Sequence, residues 1–311
     1  MSHPRLTIGI VTRDRGEALV RCLRSLTTVA HLDPEVLVYD DASSTPVVER
    51  LAGIDVGVNV RVMGGRESVG MIAGRNRIVE AASAPSVLHL DDDAGLLSAE
   101  AIESALEVLE QDPQVAAIGF PQGDRNGTRW DDSMQPSRSH VTCYVPAFIG
   151  FAHMLRRDVF NAMGGYREAF GFYGEEKEFC LRLVEAGYRT VYLPDALVMH
   201  EPDPGGRNQS RYLRSVTKND CLNALYNEPL HRLVWLLPGR LYLYFRMRRS
   251  WKIHDPWGWA WVLRQLAANA GSVLRERRPV SSQTLAVWKS LQRTPQAYPG
   301  LGQGQSALER S

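Results

Sequence analysis

Apolar runs that break off into polar residues recur through the first 120 positions, with helically spaced apolar residues in the intervals between them. Leu6-Thr7-Ile8-Gly9-Ile10-Val11 is β-rich and predicts a first strand, ending at Thr12-Arg13-Asp14-Arg15. Leu19, Cys22, Leu23 and Leu26 then repeat at helical spacing. Val36-Leu37-Val38-Tyr39 predicts a second strand, ending at Asp40-Asp41-Ala42-Ser43-Ser44. Strand, helix and strand make a βαβ unit, and a right-handed crossover puts both polar junctions on one sheet edge. The pattern continues with a strand over 58–63, a Gly64-Gly65 turn, and a helix carrying Arg75, Asn76, Ile78, Val79 and Ala82. Pro85 ends that helix before a strand that starts at Val87; a helix over 100–110 and a strand over 115–120 follow.

The second half is less regular. Residues 121–142 are polar and carry Gly and Pro, and read as a loop or edge excursion. A strand is expected over 145–151, and a short helix over 157–163 stopped by Gly164-Gly165. A loop then leads to Glu175-Glu176-Lys177-Glu178 and a helix ending at Gly187. Short β segments over 190–193 and 196–199 end at His200. The expected fold class is α/β: a single Rossmann-like domain with a central, mostly parallel sheet over 1–225 and a helical extension over 226–295. The Gly- and Gln-rich tail over 296–311 is expected to be disordered.

Composition adds mainly exclusions. The 311 residues are 44% hydrophobic and 23% charged with a net charge of +1, so there is ample core and no global polyanion partner. Four scattered cysteines without a CxxC suggest neither a zinc site nor a disulfide framework, and a reducing cytosol is the default. No signal-peptide core and no spanning apolar run is visible; the nearest candidate, 233–245, is interrupted by Pro238 and Arg240. There is no GxGxxG after the first strand and no P-loop. The extension changes character: positions 231–278 hold ten Arg or Lys against two acidic residues, and five of the seven tryptophans. That mixture suits docking on an anionic membrane surface, packing of the tryptophans on the core, or nucleic-acid binding.

The most chemically loaded stretch is Val87-Leu88-His89-Leu90-Asp91-Asp92-Asp93. A buried strand running into three mutually repelling carboxylates calls for a cation or a solvated edge. Ligands of open α/β sheets sit beyond the carboxyl ends of strands, and Mg²⁺ or Mn²⁺ takes carboxylate oxygens together with substrate phosphates. A metal shared with a diphosphate is one reading. A solvated acidic turn before the next helix is the other.

Taken together, IGIVTRDR at 8–15, VYDDASS at 38–44, GMIAGRN at 70–76, LHLDDDAG at 88–95, GGYREAFGFYGEEKEFCLRL at 164–183 and His200 resemble the family 2 inverting glycosyltransferases, with their nucleotide-diphospho-sugar transferase (GT-A-type) fold. The resemblance covers roughly residues 5 to 225. It implies a nucleotide-binding half over 1–120 and an acceptor half over 121–225. The partners it implies are a nucleotide-sugar donor of UDP or dTDP type and a glycan, lipid-linked or small-molecule acceptor. The cofactor it implies is Mg²⁺ or Mn²⁺, and no nucleic acid is expected.

Residue by residue, the resemblance implies that Thr12 and Arg13 line the nucleotide pocket, although Arg13 stands where the family has an aromatic residue. Asp41 corresponds to the family's nucleobase-binding acid, and a carboxylate can accept an imino N–H of uracil or thymine. Arg75 and Asn76, after glycines, are expected at the donor. Asp91 or Asp92 would hold the ribose, Asp93 the metal, and His200 would approach the metal or diphosphate. Glu176 falls at the position of the catalytic base, which takes the proton of the attacking hydroxyl; most members have Asp there, and Glu175 is the rival. Glu178 and Arg182 read as a plain i,i+4 pair. Arg207, Arg211 and Lys218 are expected to close over the diphosphate.

The expected location is the cytoplasm, with peripheral contact at the inner membrane face. Two other classes stay open: a nucleotidyltransferase that forms the sugar nucleotide, for which Thr12-Arg13-Asp14-Arg15-Gly16 is only a faint triphosphate loop, and a non-enzymatic membrane-surface protein with structural acidic loops.

Overall fold

A computed structural model describes residues 4–202 and 208–300. Its first half builds strand after strand in parallel. β1 (Leu6–Thr12), α1 (Gly16–Ser25), β2 (Glu35–Asp41), α2 (Val47–Leu51), β3 (Val60–Gly65), α3 (Met71–Ala81) and β4 (Ser86–Asp91) follow in order. β3, β2, β1 and β4 are parallel neighbours, with Thr12 opposite Asp40 and Val11 opposite Asp91. The carboxyl ends of three strands therefore place Thr12, Asp41 and Asp91 on one sheet edge, as the βαβ reading requires.

The chain continues through β5 (Ala94–Leu96), α4 (Glu100–Gln111), β6 (Val115–Gly119), β7 (Gln122–Gly123), β8 (Cys143–Val145), β9 (Ala152–Arg156), α5 (Arg157–Ala162), α6 (Glu175–Glu185), β10 (Arg189–Tyr192) and β11 (Val198–His200). β9 enters antiparallel between β4 and β6, and β10 lies parallel to β6. The strand expected over 145–151 falls, except for Val145, on the loop between β8 and β9. Gly150 and Phe151 lie in that loop instead of in the ladder. β5, β11 and β7 form a separate small sheet that sets His200 opposite Ala94, next to the acids.

Both faces of the large sheet are covered. Ile8, Ile10, Leu88 and Leu90 pack with α1 and α4 residues such as Leu23 and Ile102; Leu37, Tyr39 and Val87 pack with Ile78, Phe160 and Phe179 from α3, α5 and α6. Strands buried on both sides account for the nearly continuous apolar runs in the sequence.

The extension is helical: α7 (Gln209–Asn227), α8 (Leu230–Ser250), α9 (Gly258–Ala268), α10 (Ala270–Glu276) and α11 (Ser282–Arg293). α8 runs unbroken through Pro238, and no helix among the described residues is long and apolar enough to cross a membrane. The tail expectation needs correcting at its start. Gln296–Ala297 forms β12, antiparallel to β8, and Tyr298 is buried beside Tyr144. Residues 301–311 lie outside the described residues.

Candidate functional site

A cleft of about 730 Å³ opens over the strand ends, and Thr12, Asp41, Asp91, Asp93, Glu176 and His200 all line it. The three acids leave β4 in a turn, and each is met differently. Asp92 is buried, taking the Thr12 hydroxyl at 2.7 Å and Arg15 Nη1 at 2.6 Å. Arg15 Nη2 reaches Asp93 Oδ2 at 2.8 Å, so one guanidinium spans two carboxylates. Burial pushes the Asp92 carboxyl up to about 6, against the opposing pull of Thr12 and Arg15. Asp91 Oδ1 is held by Arg75 Nη2 at 2.7 Å.

Asp91, Asp93 and His200 each bring a ligand atom into a group no wider than 4.8 Å. His200 Nδ1 lies 2.7 Å from Gln122 Oε1, while the Gln122 amide nitrogen donates to the Met134 carbonyl. An acceptor at Nδ1 fixes the proton there and turns the Nε2 lone pair towards Asp93 Oδ1, 3.6 Å away. The imidazole also stacks on Phe151 at 4.7 Å and on Trp130 at 5.4 Å, which sets its plane. Asp93 Oδ1 is buried without a hydrogen-bond partner. Such an orphaned oxygen is costly unless something else satisfies it. Two carboxylates and one imidazole fit a divalent cation of the Mn²⁺ or Mg²⁺ kind.

On the opposite wall, α6 begins at Glu175 after Gly174, which has φ of +82°. Its first two residues differ sharply. Glu175 is fully buried against Arg75 Nη1 at 3.0 Å; burial and then neighbouring Glu176 push its carboxyl up to about 8 despite that arginine. Glu176 is half-buried, accepts the Gly174 amide at 3.1 Å, and faces the cleft. Its Oε1 packs against Gly150, where any Cβ would overlap it. The Gly150 carbonyl also takes Arg75 Nη2 at 2.7 Å. The loop before β9 therefore positions both the acid on α6 and the arginine on α3.

Other expected residues land elsewhere. Asp41 lines the cleft, but its oxygens already hold the 68–70 loop, taking Ser68 Oγ and the Val69 and Gly70 amides. Its neighbour Asp40 makes an Asx-type turn, accepting the Ser43 and Val47 amides. Arg13 reaches Ser68 at the cleft rim. Arg75 and Asn76 do not open α3, which starts at Met71, and Gly74 packs on Val11 and Tyr39. Asn76 points away from the cleft, pairing both ways with the Tyr166 backbone at 2.8 and 3.0 Å. Its expected place at the donor is corrected.

Lys218 is likewise buried, donating to the Ala169 and Phe170 carbonyls. Arg211 lines the cleft, and Arg207 lies outside the described residues. Glu178 is no surface pair: it is buried between Arg182 and Arg167, each at 2.8 Å. Sequence reasoning missed Arg15, Gln122, Trp130 and Gly150. Only Arg15, the last residue of the string IGIVTRDR, carried a usable signal.

Comparison with known proteins places the chain. The family model described as "Glycosyltransferase like family 2" matches residues 4–218. The pre-mycofactocin glycosyltransferase of Mycobacterium tuberculosis is 29% identical over 215 residues, which are 64% of this chain and 43% of that protein. The chain thus spans less than half the length of this relative. The N-acetylglucosaminyl-diphospho-decaprenol L-rhamnosyltransferase of the same organism is 24% identical over 283 residues, covering 76% of this chain and 91% of that one. Among solved structures, the mannosyltransferase PcManGT of Pyrobaculum calidifontis, in complex with GDP-Man and Mn²⁺, is similar with a TM-score of 0.55 and 16% identity. That match covers 93% of this chain and 80% of that chain.

Proposed function

This chain belongs to glycosyltransferase family 2, and on that premise we propose that it is a metal-dependent, inverting glycosyltransferase using a nucleoside-diphosphate sugar of UDP or dTDP type. The observation that carries the reading is the buried, partnerless Asp93 Oδ1 between Asp91 and His200, in the same cleft as the half-buried carboxylate of Glu176. Asp91, Asp93 and His200 would hold the cation; when bound, it neutralises charge on the donor diphosphate and on the leaving nucleotide.

The chain's own groups do the rest. Asp41 uses three of its roughly four acceptor sites on the 68–70 loop, which leaves one for a base imino N–H. Asp92, fixed by Thr12 and Arg15, stands behind the ribose site. Glu176 takes the proton of the acceptor hydroxyl as its oxygen attacks the anomeric carbon on the face opposite the diphosphate, which inverts that centre. We take Glu176 rather than Glu175 as the base, because Glu175 is fully buried with Oε1 on Arg75, whereas the half-buried Glu176 is the more open of the two to an acceptor.

For the acceptor we favour a lipid-linked saccharide. The relative matched over 91% of its length acts, by its name, on a decaprenol-linked sugar. Two observations weigh against a triphosphate-binding nucleotidyltransferase: Arg15 is committed to Asp92 and Asp93, and Arg13 to Ser68.

The test is calorimetric titration of UDP, dTDP and GDP with and without Mn²⁺ into the wild type and Asp93→Ala. Metal-dependent binding of UDP or dTDP that the substitution removes supports the reading. Binding of no nucleotide in the presence of Mn²⁺ sinks it, and preference for GDP overturns the donor assignment.

A further inference from the structure

α8 carries an outward stripe that nothing in the chain covers. At 100° per residue, Val234, Trp235, Pro238, Tyr242 and Phe245 fall within one side of the helix, all of them exposed. Trp235 is 80% exposed, Tyr242 65% and Phe245 45%. Large aromatics left this open on adjacent turns mark an interaction surface rather than scattered surface apolarity. The same side carries His231, Arg246 and Arg249, while α8 contains no acidic residue. The remaining α8 arginines are engaged: Arg232 with Glu228, Arg240 with Asp220, and Arg248 with the Asp255 carbonyl. Arg246 and Arg249 have no ion-pair partner among the described residues.

The C-terminal end of α8 also connects to the cleft. Tyr173 and Tyr212 line the cleft and meet edge to face at 4.8 Å. Tyr212 stacks at 6.1 Å on Trp251, the residue that ends α8 and is itself exposed. An aromatic path therefore runs from the cleft wall to the end of the helix that bears the stripe.

We propose that the outward face of α8 docks on an anionic lipid surface, with Trp235, Tyr242 and Phe245 seated among the headgroups and Arg246 and Arg249 paired with lipid phosphates. Aromatic rings with a polar edge prefer the headgroup level, and unpaired arginines on the same side supply the charge complementarity. The purpose of docking, presentation of a lipid-linked acceptor along the Tyr212–Trp251 path, rests on the acceptor reading above; the docking itself does not.

The test is flotation of the full chain with vesicles of phosphatidylcholine alone and of phosphatidylcholine mixed with phosphatidylglycerol, at low and high sodium chloride. Sedimentation velocity and calorimetric UDP–Mn²⁺ binding are measured on the same samples. The wild type is expected to float with the phosphatidylglycerol vesicles only, and less at high salt. Arg246→Gln with Arg249→Gln is expected to weaken binding about twenty-five-fold, each arginine near an anionic leaflet contributing about five-fold. Trp235→Ser with Phe245→Ser is expected to abolish flotation, and both variants are to keep the wild-type melting curve because these side chains face outward.

Failure of the wild type to float, or equal flotation by the folded variants, overturns the proposal. So does a wild-type dimer that Trp235→Ser converts to monomer, which would assign the stripe to a second copy of the chain. The calorimetric arm keeps the two ideas separate: flotation without nucleotide binding would count against the transferase reading, and nucleotide binding without flotation against α8.

Discussion

Arg75 Nη2 lies 2.7 Å from Asp91 Oδ1, and the other guanidinium nitrogen of the same buried side chain reaches Glu175 on α6. Burial alone would disfavour its charge, but Asp91 and then Glu175 more than offset this and hold it protonated. One acid of the proposed cation site and the helix bearing the proposed base are therefore fixed by one fork. Arg75→Ala leaves the Asp91 carboxylate without its counter-charge and Glu175 without its hydrogen-bond partner. A loss of about 3–5 kcal/mol in unfolding free energy by urea titration is expected. Arg75→Lys keeps the charge but not the fork, and should fall between. A change below about 1 kcal/mol in the alanine variant would show that the pair does not stabilise the fold.

The partnerless Asp93 oxygen predicts stabilisation by a divalent cation. Mn²⁺ at a hundred times its dissociation constant should add about 2.7 kcal/mol to stability. The readout is a rise in melting temperature that a chelator reverses. Asp93→Ala should abolish the rise and His200→Ala reduce it. An equal rise in Asp93→Ala would move the cation elsewhere.

Glu176→Gln should lower kcat roughly 10²- to 10⁴-fold while metal-dependent nucleotide affinity stays near the wild-type value, since the residue contributes a proton acceptor and no donor contact. Glu176→Asp should recover part of the rate. If Glu175→Gln proves the more damaging to kcat in a folded enzyme, the base assignment is wrong.

The buried acids set a pH dependence of stability. Glu175, raised to about 8, and Asp92, raised to about 6, bind more protons in the folded chain than in the unfolded one between their ordinary values and these. Both therefore make the fold less stable as pH rises. In chelator, the urea midpoint should fall over the upper portion of the range, about pH 6.5 to 8, owing to Glu175; below that the buried His89 and His153, whose rings are held neutral, pull the other way. Glu175→Gln should flatten that upper portion. An unchanged slope there would mean that Arg75 keeps Glu175 ionised in the fold.

Gly150 admits a side chain only if the Glu176 carboxylate moves aside. Gly150→Ala would force the Glu176 carboxylate and the Arg75 guanidinium apart. A large loss of kcat with modest loss of stability is expected, and activity near wild type would place the base elsewhere.

The parallel half of the fold is legible in the sequence because each strand breaks off into polar residues and each intervening helix has one apolar side. Asp91, Asp93 and His200 are legible as separate signals, but the turn after β4 and the pairing of β11 with β5 bring them together. Asn76 misleads because it follows Arg75: neighbouring helical residues project about 100° apart, so only one of the two can face the cleft. Glu178 and Arg182 have the spacing of a solvated pair, and only packing from Arg167 and Asn227 shows them to be buried. Gly150 carries no local signal, because its importance lies entirely in what approaches it.

The antiparallel insertion of β9 also bears on how the chain matures. A nascent polypeptide that has emerged only through the turn after β4 already contains the three acids, Arg15 and Arg75. It lacks the Gly150 carbonyl, Glu175, Glu176 and His200, and β4 still has an open edge where β9 will pair. Closing contacts across such long stretches of chain is slow, and an unpaired strand edge invites aggregation meanwhile. During synthesis the proposed catalytic constellation thus has no precursor form, and it comes into existence only after residue 200 has left the ribosome.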